Sequence, residues 1–269
     1  MTQHSSNEKI PNKGIYLLPN ILTTAGLFFG FFAIVSSMNG HFENAAIAIF
    51  VAMVFDGLDG RVARMTNTQS EFGAEYDSMA DMVSFGIAPG LVIYNWALYD
   101  FGKFGWLAAF VFVASAALRL ARFNTQVGVA DKRYFQGLAS PAAAGVIASL
   151  VWVGSSYQVI GKDYGYILGI ITIATGLLMV SNFRYSSFKD VDWKGKVNFV
   201  VVLLIVLAFI IVASSPENVL LIVFVIYTFS GPFNTIRGVR KLKLEHVVGD
   251  DKDADFKEST IEQNKTNPK

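Results

Sequence analysis

Long apolar stretches alternate with short polar ones along this chain. Eight runs read as helices, near residues 19–38, 42–66, 72–98, 104–124, 138–156, 164–182, 197–214 and 217–238. Several reach the ~20 residues that cross a hydrocarbon core. The second, third and fourth are longer than a bilayer needs, so their polar ends are expected to protrude into water. The breaks carry turn-forming residues: SMNGH, YDFGK, SSYQVIGKD and SSPEN. The pattern predicts an all-α integral membrane protein, a polytopic bundle of about eight transmembrane helices. Residues 1–16 read as a polar N-terminal segment, 17–244 as the transmembrane domain, and 245–269 as a charged, disordered tail.

Composition agrees. Of 269 residues, 53% are hydrophobic and only 16% charged, against about a quarter charged in soluble domains. Mean hydropathy is +0.44. There is no cysteine, which excludes a disulfide framework, a thiolate metal site and a cysteine nucleophile. The N-terminus lacks the short apolar core of a removable signal peptide.

The net charge of +1 conceals a segregation of charge. With eight spans, one side receives Lys9, Lys13, Arg61, Arg64, Arg119, Arg122, Lys132, Arg133, Arg184 and the basic residues from Lys189 to Lys243. The other side receives Lys103 and Lys162. The positive-inside rule then places both termini in the cytoplasm, for a chain in the inner membrane.

One stretch breaks the apolar pattern. DGLDGRVARMTNTQSEFGAEYDSMAD, residues 56–81, holds Asp56, Asp59, Asp77 and Asp81 between two apolar runs. Asp56 and Asp59 are three apart, and Gly60 and Ala63 continue that helical face. Gly73, Asp77 and Asp81 step by four. The intervening MTNTQSEF suits a cytoplasmic turn. Two helices folded back there aim two aspartates each at one space. Four carboxylates so placed repel one another unless cations sit among them, and Mg²⁺ or Mn²⁺ prefers such oxygen ligands. Helix capping, or pairing with Arg61 and Arg64, accounts for one aspartate more readily than for four. Gly60, Ala63 and Gly73 leave room for a bulky ligand, or for helix packing. Arg64 is placed to reach a phosphate, or to snorkel to the interface. His4, His41 and His246 lie in termini or loops and carry no assignment.

These residues resemble a known pattern. Asp56-x2-Asp59-Gly60-x2-Ala63-Arg64-x8-Gly73-x3-Asp77-x3-Asp81 is similar, in every fixed position, to the signature of the CDP-alcohol phosphotransferases. LPNILTTAGLFFGFFAI, SFGIAPG, LRLARFN and YFQGLASPAAAG resemble the serine-using branch of that family, and together cover about residues 17–145. Two positions depart from that branch: Gly26 stands where Asn is expected, and Ala139 where Pro is expected. The resemblance implies transfer of the phosphatidyl group of CDP-diacylglycerol to L-serine, with release of CMP, at the cytoplasmic end of the helices. It implies two Mg²⁺ or Mn²⁺ ions on Asp56, Asp59, Asp77 and Asp81, with Asp81 also the candidate base. It implies CDP contacts from Asn20, Thr23, Asp59, Gly60, Ala63, Arg64 and Gly73. For the serine carboxylate and ammonium, LRLARFN offers Arg119, Arg122 and Asn124, with Arg133 in the next loop. Arg119 and Arg122 serve equally well as positive-inside anchors.

Other family acceptors, glycerol 3-phosphate or an inositol phosphate, would need a denser basic pocket. An ion or proton-coupled transporter would spread polar residues through several helices, yet ILGIITIATGLLMV and FVVVLLIVLAFIIVA offer no path. A lipid-binding scaffold gives no reason for stepped aspartates. No nucleic-acid partner is expected. Gly26/Gly30 and Gly86/Gly90 are small-xxx-small patterns that point to close helix contacts or a homodimer.

Overall fold

The computed structural model describes residues 17–126, 134–186, 210 and 212–235. The helices are α1 (Leu17–Met38), α2 (Phe42–Met65), α3 (71–98), α4 (Gly102–Gln126), α5 (Ser140–Ser156), α6 (Gly165–Val180) and α7 (Pro216–Thr235). Strands β1 (Tyr134–Gln136) and β2 (Arg184–Ser186) form a small antiparallel pair. The expected run at 197–214 lies outside the described residues, apart from residues 210 and 212–214, which are helical. The expected N-terminal segment 1–16 and tail 245–269 also lie outside them.

Among the described residues, four runs are long and apolar enough to cross a membrane: Leu17–Met38, Glu71–Thr125, Gly161–Val180 and Pro216–Thr235. The 55-residue run folds back on itself. Gly102 adopts φ +52°, ψ −127°, a conformation that a side chain would strain. Beyond it α4 returns along α3, with Gly90 facing Val113 and Gly86 facing Ala116. The chain is therefore a helical membrane protein.

Packing is inverted relative to a soluble bundle. The buried face of α1 is Pro19, Thr23, Gly26, Gly30, Ala33 and Ser37, small or polar at alternating steps of four and three. Its large residues face outward: Ile21, Phe28 and Phe31 are each about 60% exposed. Across from this face α2 presents Ala45, Ala48, Ile49 and Ala52. Lipid is as apolar as leucine, so helices gain most by bringing backbones close through small residues. Gly30 shows how close: a β-carbon there would sit 2.8 Å from Ser84 Cα of α3. The glycines of both small-xxx-small patterns thus pack within the chain.

α3 is not a uniform helix. Met82–Ile87 and Tyr94–Leu98 are wound as wider π turns around the regular segment Ala88–Ile93. Pro89 explains the first of these. It has no N–H to donate to the carbonyl of Phe85, and a wider turn relieves the clash of its ring with that carbonyl. The π turn begins directly after Asp81.

Gly30→Val should destabilise the fold by about 1–3 kcal/mol through overpacking against Ser84, read as a lower Tm in detergent. Phe28→Val, on the lipid-facing side of the same helix, should leave Tm nearly unchanged. Equal effects would refute the close α1–α3 contact.

Candidate active site

The local sequence turns the chain sharply between α2 and α3. α2 ends at Met65, and Asn67 takes φ +53°, a left-handed conformation that Asn tolerates. Thr66 and Thr68 hydroxyls bond at 2.7 Å, and Thr68 N–H donates to the Ala63 carbonyl at 3.1 Å. Ser70 then caps α3, its Oγ accepting from Gly73 N–H at 3.0 Å. The result is a tight helical hairpin with the acidic residues on its two facing sides.

Asp56, Asp59 and Asp77 each offer an oxygen within 4.8 Å of the other two. Asp81 comes within hydrogen-bonding reach of Asp56. Asp59 is 4% exposed and accepts a 2.7 Å hydrogen bond from Thr23 Oγ1 of α1. Thr23, Gly26, Ala52, Ser84 and Phe85 line the same cleft as the four carboxyl groups, so α1 forms its third wall. Among the described residues none of the four is in an ion pair. Arg64 does not neutralise them: its side chain is exposed, and Nε donates to the Gly60 carbonyl of its own helix at 2.9 Å.

Three hard oxygen donors converging without a counter-charge suit a divalent cation. A homologous family supplies the context. The model of the CDP-alcohol phosphatidyltransferases matches residues 16–180. The chain belongs to this family. It is 40% identical over 202 residues to CDP-diacylglycerol–serine O-phosphatidyltransferase of Helicobacter pylori, covering 75% of this chain and 85% of the relative. The enzyme of that name from Mycobacterium tuberculosis is 31% identical over 246 residues, 88% of this chain and 84% of its own. A stretch of that size runs past residue 180 and includes residue 227. Archaetidylserine synthase of Methanothermobacter thermautotrophicus is 35% identical over 170 residues, 62% of this chain and 69% of its own.

The remaining candidate residues divide by position. Gly60 has open space where a β-carbon would stand, and Ala63 is one turn further on α2. Gly73 is half-buried, and a β-carbon there would stand 3.1 Å from Ser70 Oγ and 3.5 Å from Asn20 Oδ1. Asn20 therefore lies over the start of α3, on the same side as the acids. Asn124 bonds to Ser78, Nδ2 to Oγ at 3.0 Å, and so braces α4 against the turn of α3 that carries Asp77. Arg122 is spent on the end of α6, donating to the Val180 carbonyl at 3.0 Å. Arg119 donates through Nη1 to Ser140 Oγ at 2.8 Å, and its Nε is buried without a partner among the described residues. Arg133 lies outside the described residues. The departure at Ala139 is benign: its φ of −61° is one that proline would also adopt. Gly26 makes ordinary contacts with α2, 3.6 Å to the Ala52 carbonyl.

Two groups at the site escape a reading of spacing alone. Tyr76 hydroxyl meets Thr24 Oγ1 at 2.8 Å, tying α3 to α1 one residue from Asp77. Ser84 donates to the Gly26 carbonyl at 3.1 Å on the cleft wall. Their signal in the sequence is only that each is polar on an otherwise apolar face.

Thr23→Val keeps the shape of the side chain and removes the donor to Asp59. It should weaken Mn²⁺-dependent CMP binding about 10–100-fold, as loss of a ligand's supporting partner does, measured by calorimetry on purified protein. Unchanged affinity would take Thr23 out of the site.

Proposed function

We propose that this enzyme transfers the phosphatidyl group of CDP-diacylglycerol to the hydroxyl of L-serine, giving phosphatidylserine and CMP. The observation that carries the reading is the convergence of Asp56, Asp59 and Asp77 within a matched family domain. The relatives named for serine favour that acceptor.

Asp56, Asp59 and Asp77 would hold a divalent cation, Mg²⁺ or Mn²⁺, and Asp81 would share a second one. When bound, the cations neutralise the diphosphate and polarise the phosphorus under attack. The chain's own residues do the rest. Thr23 orients the Asp59 carboxylate. The open face at Gly60 and Ala63 lets the nucleotide lie close to α2, with Asn20 and Gly73 at the start of α3 and Arg64 in reach of a phosphate. Asp81, beyond the other acids along α3, accepts the serine hydroxyl proton. The serine oxygen forms the new bond to the phosphorus that carries diacylglycerol, and the bond to CMP breaks. No covalent enzyme intermediate is required. Arg119, Arg122, Asn124 and Arg133 are the candidates for the serine carboxylate. Of these, Arg119 has a buried Nε without a partner among the described residues.

The proposal extends to placement. The charge asymmetry supports eight spans, a cytoplasmic active site, cytoplasmic termini and the inner membrane. Arg61, Arg64, Arg119 and Arg122 lie towards the acid end of their helices, whereas Lys103 and Lys162 sit in turns at the opposite end. The transmembrane domain spans 17–244. A homodimer belongs to the same reading, supported by the outward apolar faces of α1 and α7, which lipid also covers.

Purified protein should release CMP from CDP-diacylglycerol with L-serine and Mn²⁺ or Mg²⁺, and EDTA should abolish it. Equal or faster release with glycerol 3-phosphate would overturn the serine assignment. Asp81→Asn should bind CDP-diacylglycerol with metal yet turn over about 10²–10⁴-fold more slowly, the range for loss of a general base. If it loses donor binding as fully as Asp77→Asn, Asp81 is a metal ligand first.

Topology has its own test, since the chain has no native cysteine. Thr68 is buried, so exposed Gln69 is the better probe of the α2–α3 turn. A cysteine at Gln69 should label from the cytoplasmic side and one at Lys103 from the other. Labelling of both from one side would break the span count.

A further inference from the structure

A second cavity opens at the end of the bundle away from the acids. It holds about 490 Å³ and is lined by the turn between α1 and α2, by Trp96 of α3 and by residues at the end of α5 and just beyond it. That volume is in the range of small-ligand sites. Glu43 on its wall and Asp56 in the acidic cleft lie about 20 Å apart along α2, at 1.5 Å of rise per residue. The two sites are therefore separate.

The chain builds this cavity with some care. Trp96 comes from the second π turn of α3, a widening frequent at functional sites. Asn95 in the same turn donates to Ser37 Oγ of α1 at 3.0 Å. A β-carbon at Gly161 would stand 2.7 Å from the Trp96 ring. The indole is thus held in place, yet it stays part-exposed. Past the end of α5, Gln158 takes φ +54°, a left-handed conformation that glycine adopts more readily than glutamine. The glutamine keeps a side chain on the cavity wall.

Two observations point to a ligand. Ser155 lines the cavity, and its Oγ is buried with no hydrogen-bond partner among the described residues. Buried hydroxyls are rarely left unpaired. The second observation is charge. Glu43 brings a carboxylate to the wall, and among the described residues no lysine or arginine lines it. An aromatic face, a carboxylate and a hydroxyl oxygen are the natural partners of a primary ammonium. The surroundings favour a lipid as its carrier. Tyr99, Trp106, Tyr157, Tyr164 and Tyr166 are all exposed at this end, and such aromatic belts mark head-group level.

We propose that this cavity binds the head group of a phospholipid with a primary ammonium, such as phosphatidylethanolamine, in the leaflet opposite the acidic cleft. Glu43, Ser155 Oγ and the Trp96 face take the ammonium. His41, Asn44 and Gln158 supply donors for the phosphate. The site is independent of which acceptor the enzyme uses.

The test is native mass spectrometry of the full-length protein in detergent, titrated with dioleoyl phosphatidylethanolamine. One lipid should bind about tenfold more tightly than phosphatidylcholine or phosphatidylglycerol with the same chains, the value of hydrogen bonds to a charged group. Glu43→Gln should remove that preference. Glu43 is exposed, so its loss leaves the core intact. Ser155→Ala should weaken binding about fivefold, the value of one ordinary hydrogen bond. It should not lower Tm of the lipid-free protein, as loss of a merely structural serine would. It decides alone should Glu43→Gln not fold. Asp56→Asn should leave the binding unchanged. Equal affinity for the three lipids, or undiminished binding in both Glu43→Gln and Ser155→Ala, overturns the proposal. Loss of binding in Asp56→Asn also overturns it, by placing the lipid in the acidic cleft. So does binding of the chainless glycerophosphoethanolamine as tightly as the lipid, which would make the ligand a soluble amine.

Discussion

The carboxyl groups of Asp56, Asp59, Asp77 and Asp81 repel one another, and the fold holds them together nonetheless. Three features supply the restraint. The turn at residues 66–70 is locked by its own threonine and serine hydrogen bonds. The small-residue face of α1 lets its backbone come close to both acid-bearing helices. Thr23 hydrogen-bonds directly to the most buried of the acids. Carboxyl groups gathered with no cationic partner among the described residues are a poor resting arrangement in an apolar medium. On the function proposed above, divalent cations and a diphosphate arriving together relieve it, and binding of donor and metal is then mutually dependent.

The same constraint accounts for the departure of α3 from regular helix. Its first turns must serve an aqueous, charged site and its later turns an apolar interior. The change occurs at Asp81, where the helix widens into a π turn ahead of Pro89. A wide turn alters the phase of every side chain beyond it. Ser84 thereby meets the Gly26 carbonyl, and Gly86 and Gly90 face α4. The acid-bearing face and the packing face of one helix are set independently on either side of this point.

A division of the molecule follows from where charge is needed. α1, α2 and the start of α3 build the acidic cleft, and their polar residues reach towards one another. α4 and α5 meet where Arg119 bonds to Ser140, and α7 is joined to β2 through the Tyr185 hydroxyl and the Thr228 carbonyl. On the function proposed above, a lipid-linked nucleotide presents its head to the first group and its acyl chains to the membrane.

Much of this was legible in the residues alone. Helix positions followed from apolar runs, because the bilayer demands a long uninterrupted span and punishes polar backbone. The acidic site followed from steps of three and four, because helical periodicity alone puts such residues on one face. The turn between them was visible as MTNTQSEF. What spacing could not supply were contacts between helices distant in sequence. It left Arg119 and Arg122 equivalent; only packing ties Arg122 to the end of α6 and leaves Nε of Arg119 unpaired among the described residues. Gly73 left ligand room and packing both open, and its neighbours there are Ser70 and Asn20. The glycine pairs left close helix contacts and a homodimer both open, and within the chain they make close helix contacts. The π turns and the β1–β2 ladder had no periodic signal, since each depends on a neighbour rather than on its own residues. Periodicity records which face a residue occupies, and only tertiary structure decides what that face meets.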